Sequence, residues 1–191
     1  VFAYGSLMSE PALPAHLVGR QRAVLSGWRR VFQQQSRTRG CPPDAVPEVP
    51  AVPGFVSAEG VRYSLALGLV EDPRSVVVGV CCRYDGADAV LAELERREGP
   101  GYEARELEVE TSEGTQVVWT WVSRTGHPRV VDLPVREQAR VLLAGTPTRD
   151  IDGRARGVHY LFDVASTLEG MGEPDPNLAE LLLLTRPLPG S

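Results

Sequence analysis

The sequence predicts a single α+β domain, and three observations carry that prediction. The first half of the chain is built of short β-branched and aromatic runs broken by Gly, Pro and Asp. A helical period appears once after Asp85 and again three times after Pro134. No repeat or shift in composition divides the 191 residues, a length close to the roughly 100–200 expected of one domain. Strands, one helix, a hairpin and then helices is the order of an α+β fold, here spanning residues 1–191 with one long loop at 41–60.

The elements follow in turn. Residues 1–7 read as a strand with a glycine break, and residues 22–34 as a strand interrupted at Gly27. Residues 41–60 are proline-rich and aperiodic. A loop of that length is commonly a lid or an insertion, and its P-E-V-P-A-V-P run also suits polyproline recognition. Residues 63–70 and 75–84 are two further strands, joined by a turn at Glu71, Asp72, Pro73 and Arg74. Ala87, Val90, Leu91 and Leu94 share a helix face, Asp85 or Asp88 is the expected N-cap, and Gly99-Pro100-Gly101 ends the pattern. Residues 106–110 and 116–122 alternate about Glu113 and Gly114, as a hairpin does. Residues 135–144, 158–168 and 178–184 are the remaining helices.

Composition excludes several classes. A net charge of −5 gives no support for nucleic acid or anionic membrane as a partner. No apolar run approaches the ~18 residues of a membrane span, and no secretory leader pattern opens the chain. A start at Val1 rather than Met leads us to expect leader residues outside this numbering. Cys41, Cys81 and Cys82 are too few, and odd in number, for a disulfide framework, which favours packing thiols in a reducing, cytoplasmic setting.

The chemistry-bearing residues are sparse. His16, His127 and His159 share no metal-ligand spacing, and neither phosphate-binding glycine motif occurs. Ser6, in Y-G-S-L-M, lacks the G-x-S-x-G elbow of an activated serine. Gly5 and Ser6 can instead aim successive N–H groups into an anion-binding nest, although a plain turn accounts for them equally simply. Glu98, in R-R-E-G-P-G-Y-E, sits at a predicted helix C-terminus, where the macrodipole disfavours a carboxylate. Buried there, it would have a raised pKa suited to general acid/base work; exposed, it would be one more surface glutamate among arginines.

Taken together, five stretches resemble the γ-glutamylcyclotransferase superfamily, most closely its ChaC-like, glutathione-degrading branch. V-F-A-Y-G-S-L-M is similar to the family's F-x-Y-G-S-L opening. G-W-R-R-V-F-Q-Q-Q-S-R-T-R-G (residues 27–40) resembles G-x-R-R-x-F-x-Q-x-S-x-x-x-R-G. L-V-E-D followed by V-V-V-G-V-C-C-R-Y, then R-E-G-P-G-Y-E, then H-Y-L-F-D-V-A continue the family order. The resemblance implies a small closed or nearly closed β-barrel flanked by helices. It also implies cyclisation of a γ-glutamyl group to 5-oxoproline, with glutathione as substrate, cysteinylglycine as the other product, and no metal or cofactor. By position, Glu98 would be the catalytic acid/base, and Tyr4, Gly5, Ser6 and Leu7 the γ-glutamyl-binding loop, with Tyr102 and Tyr160 as further substrate contacts. Two stretches depart from the pattern. Residues 41–60 replace a compact segment, leaving a family arginine absent or displaced to Arg62, and G-R-A-R-G-V (residues 153–158) replaces G-x-S-G-x-N. The alternatives are a cyclotransferase for another γ-glutamyl amine or peptide, and a non-catalytic binding module on the same fold.

Overall fold

The computed structural model describes residues 1–186; the last five residues of the expected domain lie outside it. Two long antiparallel strands dominate, β2 (Leu17–Cys41) and β3 (Arg62–Tyr84), with a short β1 (Phe2–Ala3) on the far edge of β3. A hairpin of β4 (Tyr102–Thr111) and β5 (Gly114–Ser123) completes the sheet in the order β1-β3-β2-β4-β5, and its turn residues are Ser112 and Glu113, one position earlier than expected. Helices α1 (Ala87–Glu98), α2 (Val135–Ala144), α3 (Val158–Gly170) and α4 (Pro176–Thr185) follow the predicted order.

Several local expectations need correction. The turn predicted at residues 71–74 is a bulge inside one continuous strand. Ser26 pairs with Val76 and Trp28 with Glu71, so Gly27 alone faces the intervening residues 72–75. Pro73 has no N–H to give the ladder, and such residues collect at bulges. Asp72 closes the bulge locally, accepting from the Arg74 N–H (3.2 Å) and the Ser75 hydroxyl (2.8 Å). Neither Asp85 nor Asp88 caps α1. Gly86 occupies that position without a side-chain cap, and the Asp85 N–H bonds the His16 carbonyl at 2.8 Å. The opening strand is only two residues long, because the chain turns into a 3-10 turn at Ser6–Met8.

The proline-rich segment is docked onto the body. It contains one 3-10 turn, Pro43–Ala45, and buries Ala45, Val52 and Phe55. The Tyr63 N–H bonds the Phe55 carbonyl (2.8 Å), the Gln35 side-chain amide bonds Gly54 (2.9 Å), and the Thr148 N–H bonds Ala45 (3.0 Å). It contributes no residue to the cavities described below, so the lid expectation finds no support.

Apolar burial holds these layers together. Val141, Leu142, Leu161, Leu168 and Leu181 of the three later helices pack with Phe32, Leu65, Leu69 and Val77 of the sheet in one buried cluster. A second cluster forms under α1, where Val90 and Leu94 meet Trp121. The strand pairing among the described residues is open rather than a closed ring. Its ends are nevertheless drawn together: the Thr120 hydroxyl donates to Phe2 O (3.0 Å), and the Tyr4 hydroxyl to Trp121 O (2.6 Å). The sheet therefore curls on itself, and the gap between its ends is where the candidate site sits.

Candidate active site

Tyr4, Gly5, Ser6, Leu7, Glu98, Tyr102 and Tyr160, the seven residues singled out above, line one cavity of about 40 Å³ together with Leu67 and Trp121. They come from the turn after β1, the end of α1, the start of β4 and the first turn of α3. The cavity adjoins an open basin of about 420 Å³, which shares Ser6, Glu98, Tyr102 and Tyr160 and adds Arg39, Arg96, Arg97 and Arg154. A larger cavity of about 550 Å³ lies elsewhere, against Arg20, Cys82, Tyr84, Val90 and Trp119. It has the volume of a ligand site, and its lining includes the Val1 amine, Cys81, Cys82, Tyr84 and Glu113, but none of the seven residues above.

The loop is shaped by Gly5 and held from behind. A Cβ on Gly5 would lie 2.9 Å from the Tyr160 hydroxyl, so only glycine lets the backbone approach α3 this closely. The first bond of the 3-10 turn runs from Met8 N–H to Gly5 O (2.9 Å), which leaves the Ser6 and Leu7 N–H groups ahead of it. The leading N–H groups of such a turn have no partner within it, and here the Ser6 N–H faces the Tyr160 hydroxyl. Behind the loop lies Arg30, buried, which donates to Tyr4 O (2.8 Å), to Val78 O, and to Asp175 (2.7 Å), the N-cap of α4.

Glu98 is the last residue of α1, and Gly99, at φ 74°, ends the helix directly after it. Its ψ of −177° lies outside the left-handed helical well, in a region open essentially to glycine alone. Val90 and Leu94 bury one face of α1 and so carry its C-terminus into the gap. The Glu98 side chain is one-fifth exposed. Burial pushes its carboxyl above the ordinary range, and the Arg97 and Arg39 guanidiniums pull partly the other way. Arg97 stands 4.0 Å from the carboxylate and also reaches the Ser6 hydroxyl at 3.4 Å, too loose to neutralise the acid.

Three phenols stand near the acid, Tyr4 and Tyr160 buried and Tyr102 half-buried. Burial lifts Tyr4 and Tyr102 well above their usual pKa, and nearby Glu98 adds to both. Burial likewise raises Tyr160, opposed in part by Arg39. All three stay neutral near pH 7. The Tyr4 and Tyr102 hydroxyls donate to the Trp121 and Leu67 carbonyls at 2.6 and 2.7 Å, so each oxygen keeps acceptor capacity. A neutral acceptor set beside backbone donors and one carboxyl suits an amino-acid headgroup, with ammonium and carboxylate held apart.

Two functional candidates escaped the sequence reading. Arg30 alternates with buried Trp28 and Phe32 along β2 and therefore shares their inward face. That period-two register, with Arg29 pointing outward, is the signal that marks one of the adjacent arginines as internal. Arg39 stands in the quoted segment before Gly40, yet nothing local distinguishes it from the other arginines of the chain. Its placement, 4.1 Å over the Tyr160 ring, is a tertiary fact.

The fold has solved counterparts. A glutathione-specific γ-glutamyl cyclotransferase from yeast, solved twice, superimposes with TM-scores of 0.69 and 0.67 at 20% identity. The alignments cover 96% and 97% of this chain, and 93% and 96% of the yeast chains. A further γ-glutamyl cyclotransferase matches with a TM-score of 0.54 at 15% identity, over 100% of this chain and 90% of its own. These likenesses define the class of fold, an α+β γ-glutamylcyclotransferase-like domain. The sequence model of the ChaC-like proteins matches residues 1–186, and the chain belongs to that family. No curated protein matches it in sequence.

Proposed function

We propose that the protein is a γ-glutamylcyclotransferase that converts glutathione to 5-oxoproline and cysteinylglycine, with Glu98 as the general acid/base. The observation that carries this reading is the convergence of Glu98 with Tyr4, Gly5, Ser6, Leu7, Tyr102 and Tyr160 about one cavity, although they stand in separate parts of the chain. The protein needs to supply little. The substrate α-amine attacks its own γ-amide carbonyl, the lactam ring closes, and the C–N bond to the leaving amine breaks. Orientation of such an intramolecular attack is worth about 7–11 kcal/mol.

Proton traffic is the second requirement. The α-ammonium, with a reference pKa near about 7.7–8, must give up a proton before attack, and the departing nitrogen must gain one. A carboxylate at Glu98 takes the first and returns it to the second, work typically worth about 10²–10⁴-fold. Burial, by raising the Glu98 pKa, narrows the gap between donor and acceptor. The Ser6 and Leu7 N–H groups supply donors for the carbonyl oxygen or for the α-carboxylate. The Tyr4 and Tyr102 oxygens suit the ammonium. Three free, buried cysteines fit a reducing, cytoplasmic setting.

The test is incubation of purified protein with glutathione and detection of 5-oxoproline and cysteinylglycine by mass spectrometry. Glu98→Gln is expected to keep its far-UV spectrum and lose product formation by at least about 10²-fold. Turnover by this variant near the wild-type rate would defeat the assignment.

A further inference from the structure

We infer that Arg39 reads a carboxylate on the leaving portion of the substrate, so that the site prefers γ-glutamyl peptides ending in a free carboxylate over γ-glutamyl amines and peptide amides. This inference rests on the cyclotransferase reading and extends it to the substrate class. Four arginines line the basin beside Glu98. Arg96 is paired with Glu93 (2.7 Å), Arg154 with Asp152 (3.9 Å), and Arg97 stands 4.0 Å from Glu98 itself. Among the described residues, Arg39 alone of the four has no carboxylate within 4.0 Å.

Arg39 is also the one most firmly placed. Its guanidinium lies on the Tyr160 ring and donates through Nη1 to the Ala155 carbonyl (2.8 Å), leaving its other N–H donors uncommitted. Its backbone carbonyl accepts from the Gly157 N–H (2.8 Å). On either side, Arg156 donates to the Thr38 and Gly40 carbonyls (2.7 and 3.1 Å). The grip on Arg39 thus comes from residues 155–157, within one of the two stretches that depart from the family pattern. A half-buried, stacked guanidinium with a free edge is preorganised for a carboxylate.

The reach is right. The two residues that leave glutathione extend at most about 7 Å beyond the scissile bond, and the basin volume of about 420 Å³ holds such a group. The chain carries a net −5, so its overall field favours the less anionic of two otherwise equal ligands. Preference for the acid over the amide therefore demands a local cation.

The experiment measures binding by calorimetry to the Glu98→Gln protein, which holds the ligand without turning it over. The probes are glutathione and its C-terminal glycinamide analogue. The acid is expected to bind at least about tenfold tighter than the amide. Adding Arg39→Gln should bring the acid down to the level of the amide and move the amide by less than about twofold. Arg39→Lys, which keeps the charge and tests for collapse of the site, should retain part of the preference. Equal binding of acid and amide with Arg39 intact, or equal weakening of both by Arg39→Gln, overturns the inference and leaves the cyclotransferase reading standing. Binding of neither peptide by the Glu98→Gln protein overturns both.

Discussion

Glu98 and Gly5 show what single residues bring to the candidate site. Burial holds the Glu98 carboxyl above its ordinary range against two arginines, so the proposed base role predicts an acid limb higher than an ordinary glutamate would give. In the pH profile of kcat/KM, activity should rise with pH through that raised pKa. Arg97→Gln should move the limb upward, because the guanidinium that favours the ionised form has gone; an unmoved limb would mean another group limits the rate. Gly5 is a matter of space. Gly5→Ala places a methyl 2.9 Å from the Tyr160 hydroxyl, and overpacking of this kind costs about 1–3 kcal/mol. Adding Tyr160→Phe removes the obstructing oxygen, so the double variant should regain thermal stability relative to Gly5→Ala. Tm measurements on the three variants check this.

At the scale of elements, the site is an arrangement of ends. The turn after β1, the last residue of α1, the first of β4 and the first turn of α3 meet in the gap of the curled sheet. The Arg30–Asp175 pair ties this arrangement to α4, with both side chains almost fully buried and 2.7 Å apart. Removing one member of a buried pair strands the other and typically costs about 3–5 kcal/mol. Asp175→Ala should lose that amount in urea unfolding, and Asp175→Asn less, because asparagine still caps the Asn177 N–H that Asp175 now holds at 2.9 Å. Arg30→Met should in addition raise KM, since Arg30 supports the Tyr4 carbonyl from behind the proposed substrate loop. Helix periods, the hairpin and the strand runs are all legible in the sequence because side chains alternate with fixed periods. The bulge at residues 72–75 is not, because Asp-Pro-Arg-Ser reads as a turn until the partner strand is known to continue past it.

For the whole molecule, an ionisable group held in the gap links function to stability. A glutamate whose folded pKa lies above its unfolded value binds protons more readily when folded. Its favourable contribution is present below the unfolded pKa, near about 4.3, and is lost as pH rises through the folded value. Above that, the wild-type protein carries a buried carboxylate at a cost. Glu98→Gln should therefore unfold at a higher temperature than wild type at pH 8, and the difference should shrink toward zero as pH falls to about 4. A difference that does not vary with pH would place Glu98 in solvent. The same gap explains why the sheet ends are joined by side-chain bonds from Thr120 and Tyr4: a continuous ladder there would leave no room for the cavity.

The sequence by itself determined the α+β class, the order of the elements, and the residues that resemble a cyclotransferase site, because periodicity, glycine placement and ordered motifs are local properties of the chain. On local grounds alone, Tyr4-Gly5-Ser6-Leu7 remained a plain turn or a nest, and Glu98 a surface acid or a catalyst. Only the tertiary structure brought these stretches to one cavity, buried Arg30 against Asp175, and stacked Arg39 on Tyr160 with no carboxylate within 4.0 Å among the described residues. Burial and convergence depend on which faces meet across the fold, and that information lies in packing between distant segments rather than within any one of them.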